Sequence, residues 1–267
     1  MKVISKFFLI LIFLIGIFII YLSTFGIETE KFNNQISNKI LQIDKNLEVE
    51  LKKIKLVLDP FSLKINIKTV GSKLKKKNKI IEIENIITQI SLKSLISNEF
   101  SIENLQISTK SLEIKNLISF LRSFQNTPEL FVLEKIISKG YLIADIELEF
   151  NSNGKIKDNY KINGLIKDTK LSFLNRYDIQ NLDFIFDFQE NYLSISDVTF
   201  SLNNLKLLSE KILIKKINDQ FSIGGNINNK NLDIDKKNID LLIKPLLPKI
   251  NLEKLKFSSN NNFLLKI

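Results

Sequence analysis

The stretch YDIQNLDFIFDF, Tyr177 to Phe188, alternates like a β-strand but changes phase halfway. Tyr177 and Ile179 occupy odd positions, whereas Leu182, Phe184, Phe186 and Phe188 occupy even ones. Strand side chains alternate between faces with period two, so a one-residue slip sends the second half to the opposite side. Two arrangements reconcile the slip with one apolar face. An inserted residue at a β-bulge restores the face while bending the strand. Alternatively, Asn181 marks a corner between two short strands. Asn and Asp suit either, because they tolerate unusual backbone angles and bond to nearby main chain.

The pattern apolar-x-Asn/Asp-apolar recurs from Ile83, Ile102, Ile114, Ile143, Ile179, Ile195 and Leu202. This composition alone would produce roughly five such matches, so the four letters carry little weight. Their surroundings carry more. Four positions before each Asn/Asp stand Ile81, Phe100, Leu112, Tyr141, Tyr177, Leu193 and Phe200, all apolar, and the interleaved positions are mostly polar.

Period two dominates from Leu47 onward. LEVELKKIKLVLDP reads as strand with a turn at Asp59-Pro60, and FSLKINIK puts Phe61, Leu63, Ile65 and Ile67 on one face. The run KLKKKNK, Lys73 to Lys79, reads as a solvated turn, with contact to anionic lipid headgroups as the sharper alternative. LKSLISNEF reads as a short helix or turn, and FSIENLQIST and SLEIKNL as further strands. A helical insertion at about 115–139 is expected as two helices broken near Asn126, with Pro128 in a first turn and Gly140 as the stop. From Tyr141 the chain returns to strands.

FFLILIFLIGIFIIYLSTF, Phe7 to Phe25, is nineteen residues without a charge. As a helix it nearly matches a hydrocarbon core of roughly 30 Å. Phe7, Leu11, Leu14, Phe18, Tyr21 and Phe25 mark this anchor. Lys2 and Lys6 precede it and Glu28 and Glu30 follow, which favours a cytoplasmic tail at residues 1–6 and translocation of the rest. A cleaved signal peptide is the competing reading, but the apolar core is long and no small-x-small site follows it. Beyond the anchor, Phe32, Ile36, Ile40 and Ile43 form one stripe of an expected amphipathic helix within 26–46. The β-rich domain is then 47–267.

The 267-residue chain has no cysteine and no histidine. That removes zinc sites of the usual kind, thiol nucleophiles, disulfides and Ser-His-Asp catalysis. The net charge of +10 is almost wholly lysine, with Arg122 and Arg176 the sole arginines, and no basic patch interleaved with aromatics points to nucleic acid. Carboxylate pairs such as Glu82/Glu84 and Asp183/Asp187 share a strand side with lysines, where charge serves solubility and blunts edges. No catalysis, metal or cofactor is expected.

The apolar set Ile179, Leu182, Phe184, Phe186, Phe188, Leu193, Ile195, Val198, Phe200 and Leu202 has two readings. Under a second sheet it is sandwich core. On a curved sheet with no cover it is an apolar groove, and exposed patches of that size mark binding surfaces.

The layout resembles the AsmA-like family of envelope β-groove proteins. The resemblance rests on an uncleaved anchor, a short amphipathic helix, LEVELKKIKLVLDPFSLKINI, and then ENIITQISLKSLISNEFSIENLQISTKSLEI. INGLIKDTKLSF, IQNLDFIFDFQENYLSISDVTFSLNNLKL and FSIGGNI are similar to the family's repeating groove strands. It covers most of Phe7 to about Ile227. The resemblance implies a mainly β fold: a transmembrane helix, then a curved, taco-shaped antiparallel sheet with a few short helices. It further implies an inner-membrane protein with its bulk in the periplasm, a groove that binds or conducts phospholipid, and a link to outer-membrane assembly proteins. Family members are generally much longer, so the chain is either a fragment or a minimal version. A non-catalytic scaffold that recruits partners through sheet edges is the alternative.

Overall fold

The computed structural model describes residues 2–30, 33–34, 37, 41, 45–92, 102–151, 156–173, 176–217 and 220–266. The fold is mainly β, antiparallel and open, with an N-terminal apolar helix and a few short helices. The chain divides into two compact units, residues 1–109 with 146–160, and residues 110–145 with 161–267.

The first unit opens with α1, Lys2–Thr24. Its Lys6–Thr24 stretch is long and apolar enough to cross a membrane, and Phe7, Leu11, Leu14, Phe18 and Tyr21 are all exposed on it. A helix apolar all round and exposed along most of its length suits a lipid surrounding. Phe25 lies one residue past its end. Gly26 terminates the helix in the left-handed region (φ 69°), with its N–H and that of Phe25 both donating to the Tyr21 carbonyl.

Strand β1, Ile27–Thr29, follows at once and pairs with β3, Ile54–Asp59, with Ile27 opposite Leu56. The membrane-proximal helix expected from residue 26 therefore does not begin there. Pairing with β3 supplies Ile27–Thr29 with main-chain partners that a helix start would have left open. The stripe Phe32, Ile36, Ile40 and Ile43 falls outside the described residues. A Cβ on Gly26 would collide with the Leu56 carbonyl oxygen and lie 2.9 Å from Val57 Cγ2. Gly26→Ala is expected to cost about 1–3 kcal/mol, from a left-handed alanine plus a clash with main chain that cannot rotate away. Thermal melting of the detergent-solubilised chain reads it, and an unchanged midpoint contradicts it.

The remaining strands of this unit are β2 (Leu47–Glu50), β4 (Lys64–Val70), β5 (Lys73–Lys76), β6 (Lys79–Ser91) and β7 (Ile102–Thr109). Their order is β1-β3-β4-β6-β7, with β5 on the first residues of β6 and β2 beyond β5. The lysine run is a hairpin: Lys77 and Asn78 both have positive φ (45° and 65°), the two-residue turn that matches strand twist. One expectation needs correction. Phe61 and Leu63 are not on the face of Ile65 and Ile67. Asp59 Oδ1 accepts the Phe61 and Ser62 N–H groups (3.1 Å each), and the turn this makes keeps Leu63 at φ 53° before β4 begins. LKSLISNEF falls almost wholly outside the described residues.

The second unit begins with β8 (Leu112–Glu113), α2 (Ile114–Arg122) and α3 (Pro128–Ile136). SLEIKNL is thus strand for two residues only. Ile114 and Ile118 sit four apart and are buried with Ile137, a helical spacing that overrides the strand-like alternation of the segment. The break near Asn126 is present, with Thr127 capping α3 at the Leu130 N–H and Pro128 in its first turn. Gly140 does not stop that helix. Strand β9 starts at Ile137, and Gly140 lies within it at φ 149°, where a Cβ would collide with Thr169 Oγ1 and approach Ile114 Cδ1 to 2.9 Å. Glycine is there for close packing, not termination.

β9 (Ile137–Glu149), β10 (Lys161–Phe173), β11 (Tyr177–Gln189), β12 (Tyr192–Leu202), β13 (Leu205–Ile217), β14 (Gln220–Asp235) and β15 (Lys254–Lys266) follow in sequence order. Between β14 and β15, helix Lys236–Asn238 runs into a π-helical turn, Ile239–Ile243. Arg122 pairs with Glu134 across α2 and α3, and its guanidinium sits 5.1 Å from the Phe131 ring centroid.

Candidate functional site

The phase slip that opened the sequence is a bulge, not a corner. Strand β11 runs unbroken through it, and Asn181 sits at φ 51°. Asp168 on β10 (φ 51°) and Asp197 on β12 (φ 53°) do the same beside it. Each bulge is offset by its neighbour. Between β10 and β11 the register slips from Ile166↔Phe184 to Thr169↔Leu182, then slips back by Leu171↔Ile179. Between β11 and β12 it slips at Gln180↔Ser201 and Asp183↔Thr199, and recovers by Ile185↔Ser196. Adjacent extra residues therefore bend the sheet without shearing its pairing.

Side chains satisfy the main chain that the bulges free. Asp183 Oδ1 accepts from the Asp168 N–H at 2.6 Å. At the β13–β14 irregularity, Asn226 Oδ1 accepts from the N–H groups of Glu210 (3.1 Å) and Lys211 (3.2 Å). At the β14–β15 one, Asn231, itself at φ 49°, donates its N–H to Ser258 Oγ at 2.8 Å. Asp183, weighed from sequence as half of a carboxylate pair, is thus occupied with the bulge.

The consequence is one continuous apolar face. The register pairs Ile179 with Leu202, Phe186 with Ile195 and Phe188 with Leu193, which places all ten sequence-selected residues on the same side of β11 and β12. β10 extends that face with Ile162, Gly164, Ile166 and Leu171, and β13 with Leu207, Ile212 and Ile214. The opposite side carries Asp183, Asp187, Ser194, Ser196 and Thr199. β10 escaped the sequence motif because Thr169, not an apolar residue, follows Asp168. Its phase change in LIKDTKL was the available signal. Of the motif positions, Asn204 forms a two-residue turn with Asn203 (φ 70° and 49°), and Asn116 lies in α2.

Among the described residues, the strands of this unit pair into a single sheet. Helical segments cover one end. Ile114 and Ile118 pack with Ile166 and Leu171, and Ile239 with Leu242 packs on Leu205 and Leu207. At that boundary Val198, Thr169 and Ser209 are buried. The other nine sequence-selected residues stay half-buried, the central ones being Phe184, Phe186, Phe188, Leu193 and Ile195. A Cβ on Gly164 would stand 2.6 Å from Phe186 Cζ and 2.5 Å from the Ile143 carbonyl oxygen. The Phe186 ring therefore lies across the strand in the space where other residues carry a side chain. Phe184 meets it edge-on, with ring centroids 6.4 Å apart.

Charge stays at the margin. Asp233 bridges Lys254 (3.0 Å) and Lys256 (3.4 Å), and the Lys254 hydrogen bond, ahead of the lysine charges, holds its carboxyl below the usual range. The arrangement offers apolar contact area without a reactive group among its central residues. No protein-family model, curated protein or solved structure matches this chain.

Proposed function

We propose that the chain is a single-pass inner-membrane protein of AsmA-like type, with a cytoplasmic N-terminus and its bulk in the periplasm. Its apolar β-groove binds or conducts phospholipid acyl chains and supports outer-membrane assembly, without catalysis. The observation that carries this reading is the continuous, half-buried apolar face centred on Phe184, Phe186, Phe188, Leu193 and Ile195. Half-buried rings and branched aliphatic chains in a row gain most from a long apolar ligand that excludes water along their whole length. The bulges support it too, since they curve the sheet around such a ligand.

A second reading, a scaffold that recruits assembly partners without lipid transfer, draws on a different observation. β15 ends the strand order over thirteen residues, and its outer edge has no strand paired to it among the described residues. Bare edges of that length accept a partner's strand.

A photo-crosslinking residue at Phe186, with one at Asp187 on the opposite face as control, separates the two. Phospholipid adducts at 186 and none at 187 are the expected result in cells. Crosslinks at 186 to protein alone would leave the scaffold reading standing.

A further inference from the structure

We infer that the tip of the β3–β4 hairpin, Pro60-Phe61-Ser62-Leu63, inserts into the interface of the membrane that α1 spans, forming a second foot for the first unit. This rests on reading α1 as a membrane span. Phe61 is 99% exposed and Leu63 62%, in a stretch of four residues with no charge. A bare phenylalanine at a hairpin tip is a poor use of a turn position in water, where Gly, Asn, Asp and Ser dominate.

The pairing decides where this tip points. β1 leads away from the end of α1, and β3 is antiparallel to it, so β3 runs back toward the helix. Leu56 stands opposite Ile27, and Leu56 and Val57 enclose Gly26 so closely that no side chain fits there. From Leu56 the strand continues through Asp59, about 10 Å at strand rise. β3 lies in contact with α1, so the hairpin sits by the end of α1, where the Tyr21 and Phe25 rings stack at 5.5 Å. Aromatic residues at such a level anchor proteins at the headgroup boundary.

The tip is built to hold its shape. Asp59 spends its Oδ1 on the Phe61 and Ser62 N–H groups, and Asp59 pairs across the strand ends with Lys64. Bonds from Ser62, side chain before main chain, keep that carboxyl below its ordinary range. Leu92, whose N–H donates to the Leu63 carbonyl at 2.9 Å, lies at the same end of the sheet. Lipid is the occupant that fits, because a helix already committed to the bilayer brings the tip to its surface.

The chain has no cysteine, so single labels are clean. Full-length Phe61→Cys, Leu14→Cys and Ile80→Cys, each carrying an environment-sensitive fluorophore, would be reconstituted in phosphatidylcholine–phosphatidylglycerol vesicles. Spin-labelled lipids then quench by depth. Ile80 is exposed at the far end of β6, and Phe61 is free of packing, so neither change threatens the fold. Expected are deep quenching at 14, blue-shifted emission with headgroup-level quenching at 61, and no quenching at 80. Emission at 61 matching that at 80, with 14 quenched, overturns the second foot while leaving the anchor intact. An unquenched label at 14 overturns the anchor and the inference with it.

Discussion

Deletion of Asn181 is expected to destabilise the second unit by about 3 kcal/mol or more, whereas Asn181→Gly leaves it within about 0.5 kcal/mol. The deletion removes the extra residue that returns Tyr177 and Ile179 to the face of Leu182 and Phe184. Without it, one half of β11 presents its apolar residues to the polar side. The neighbouring bulges at Asp168 and Asp197 also lose the partner that cancels their register shift. Glycine keeps both the residue count and the left-handed backbone at φ 51°. Asn181→Val, with the count kept but the backbone strained, falls between, at about 1–2 kcal/mol. Denaturant unfolding followed by far-ultraviolet circular dichroism ranks the three. A deletion variant as stable as the parent would sink the bulge account of the curved face.

Phe186→Asp is expected to remove most co-purifying phospholipid, a loss of about tenfold or more, while Ile185→Asp one position away changes nothing. Each 1.4 kcal/mol of lost affinity is a tenfold change, and replacing an aromatic ring by a carboxylate on an apolar surface exceeds that. Phe186 is half-buried, so the change weakens the fold only by about 1–2 kcal/mol. Ile185 is already exposed on the polar side, between Leu165 and Ser196. Detergent-free purification and lipid mass spectrometry give the readout, with circular dichroism to show that both variants fold. Equal lipid content in the two variants would favour the scaffold reading.

Both expectations grow from features legible in the chain. The phase slip at Asn181 needed only a count of apolar positions. The same arithmetic found the ten residues of β11 and β12, because strand geometry ties sequence spacing to a face. It left the residues of β10 out of that set, because Thr169 interrupts the apolar pattern, although the register sets Ile162, Gly164 and Ile166 against Phe188, Phe186 and Phe184. Gly140 misled for a related reason. A glycine beside a helix reads as a stop, yet here its bare Cα answers to Thr169, twenty-nine positions on. Local chemistry cannot report a neighbour that only folding supplies.

Sequence by itself determined the apolar helix, the alternating strands, the phase slips at Asn181 and Asp197, and the absence of thiol and imidazole chemistry. Each follows from spacing, composition or residue conformation, which are properties of short stretches. Tertiary structure alone decided that Phe61 stands bare at a hairpin tip, that SLEIKNL is strand for only two residues before the expected helices begin, and that one end of the apolar face is capped by helices. It also decided that the strands beneath that face pair into one sheet among the described residues. Burial depends on which distant segments arrive above a residue, and period two is identical for a strand under cover and a strand in the open.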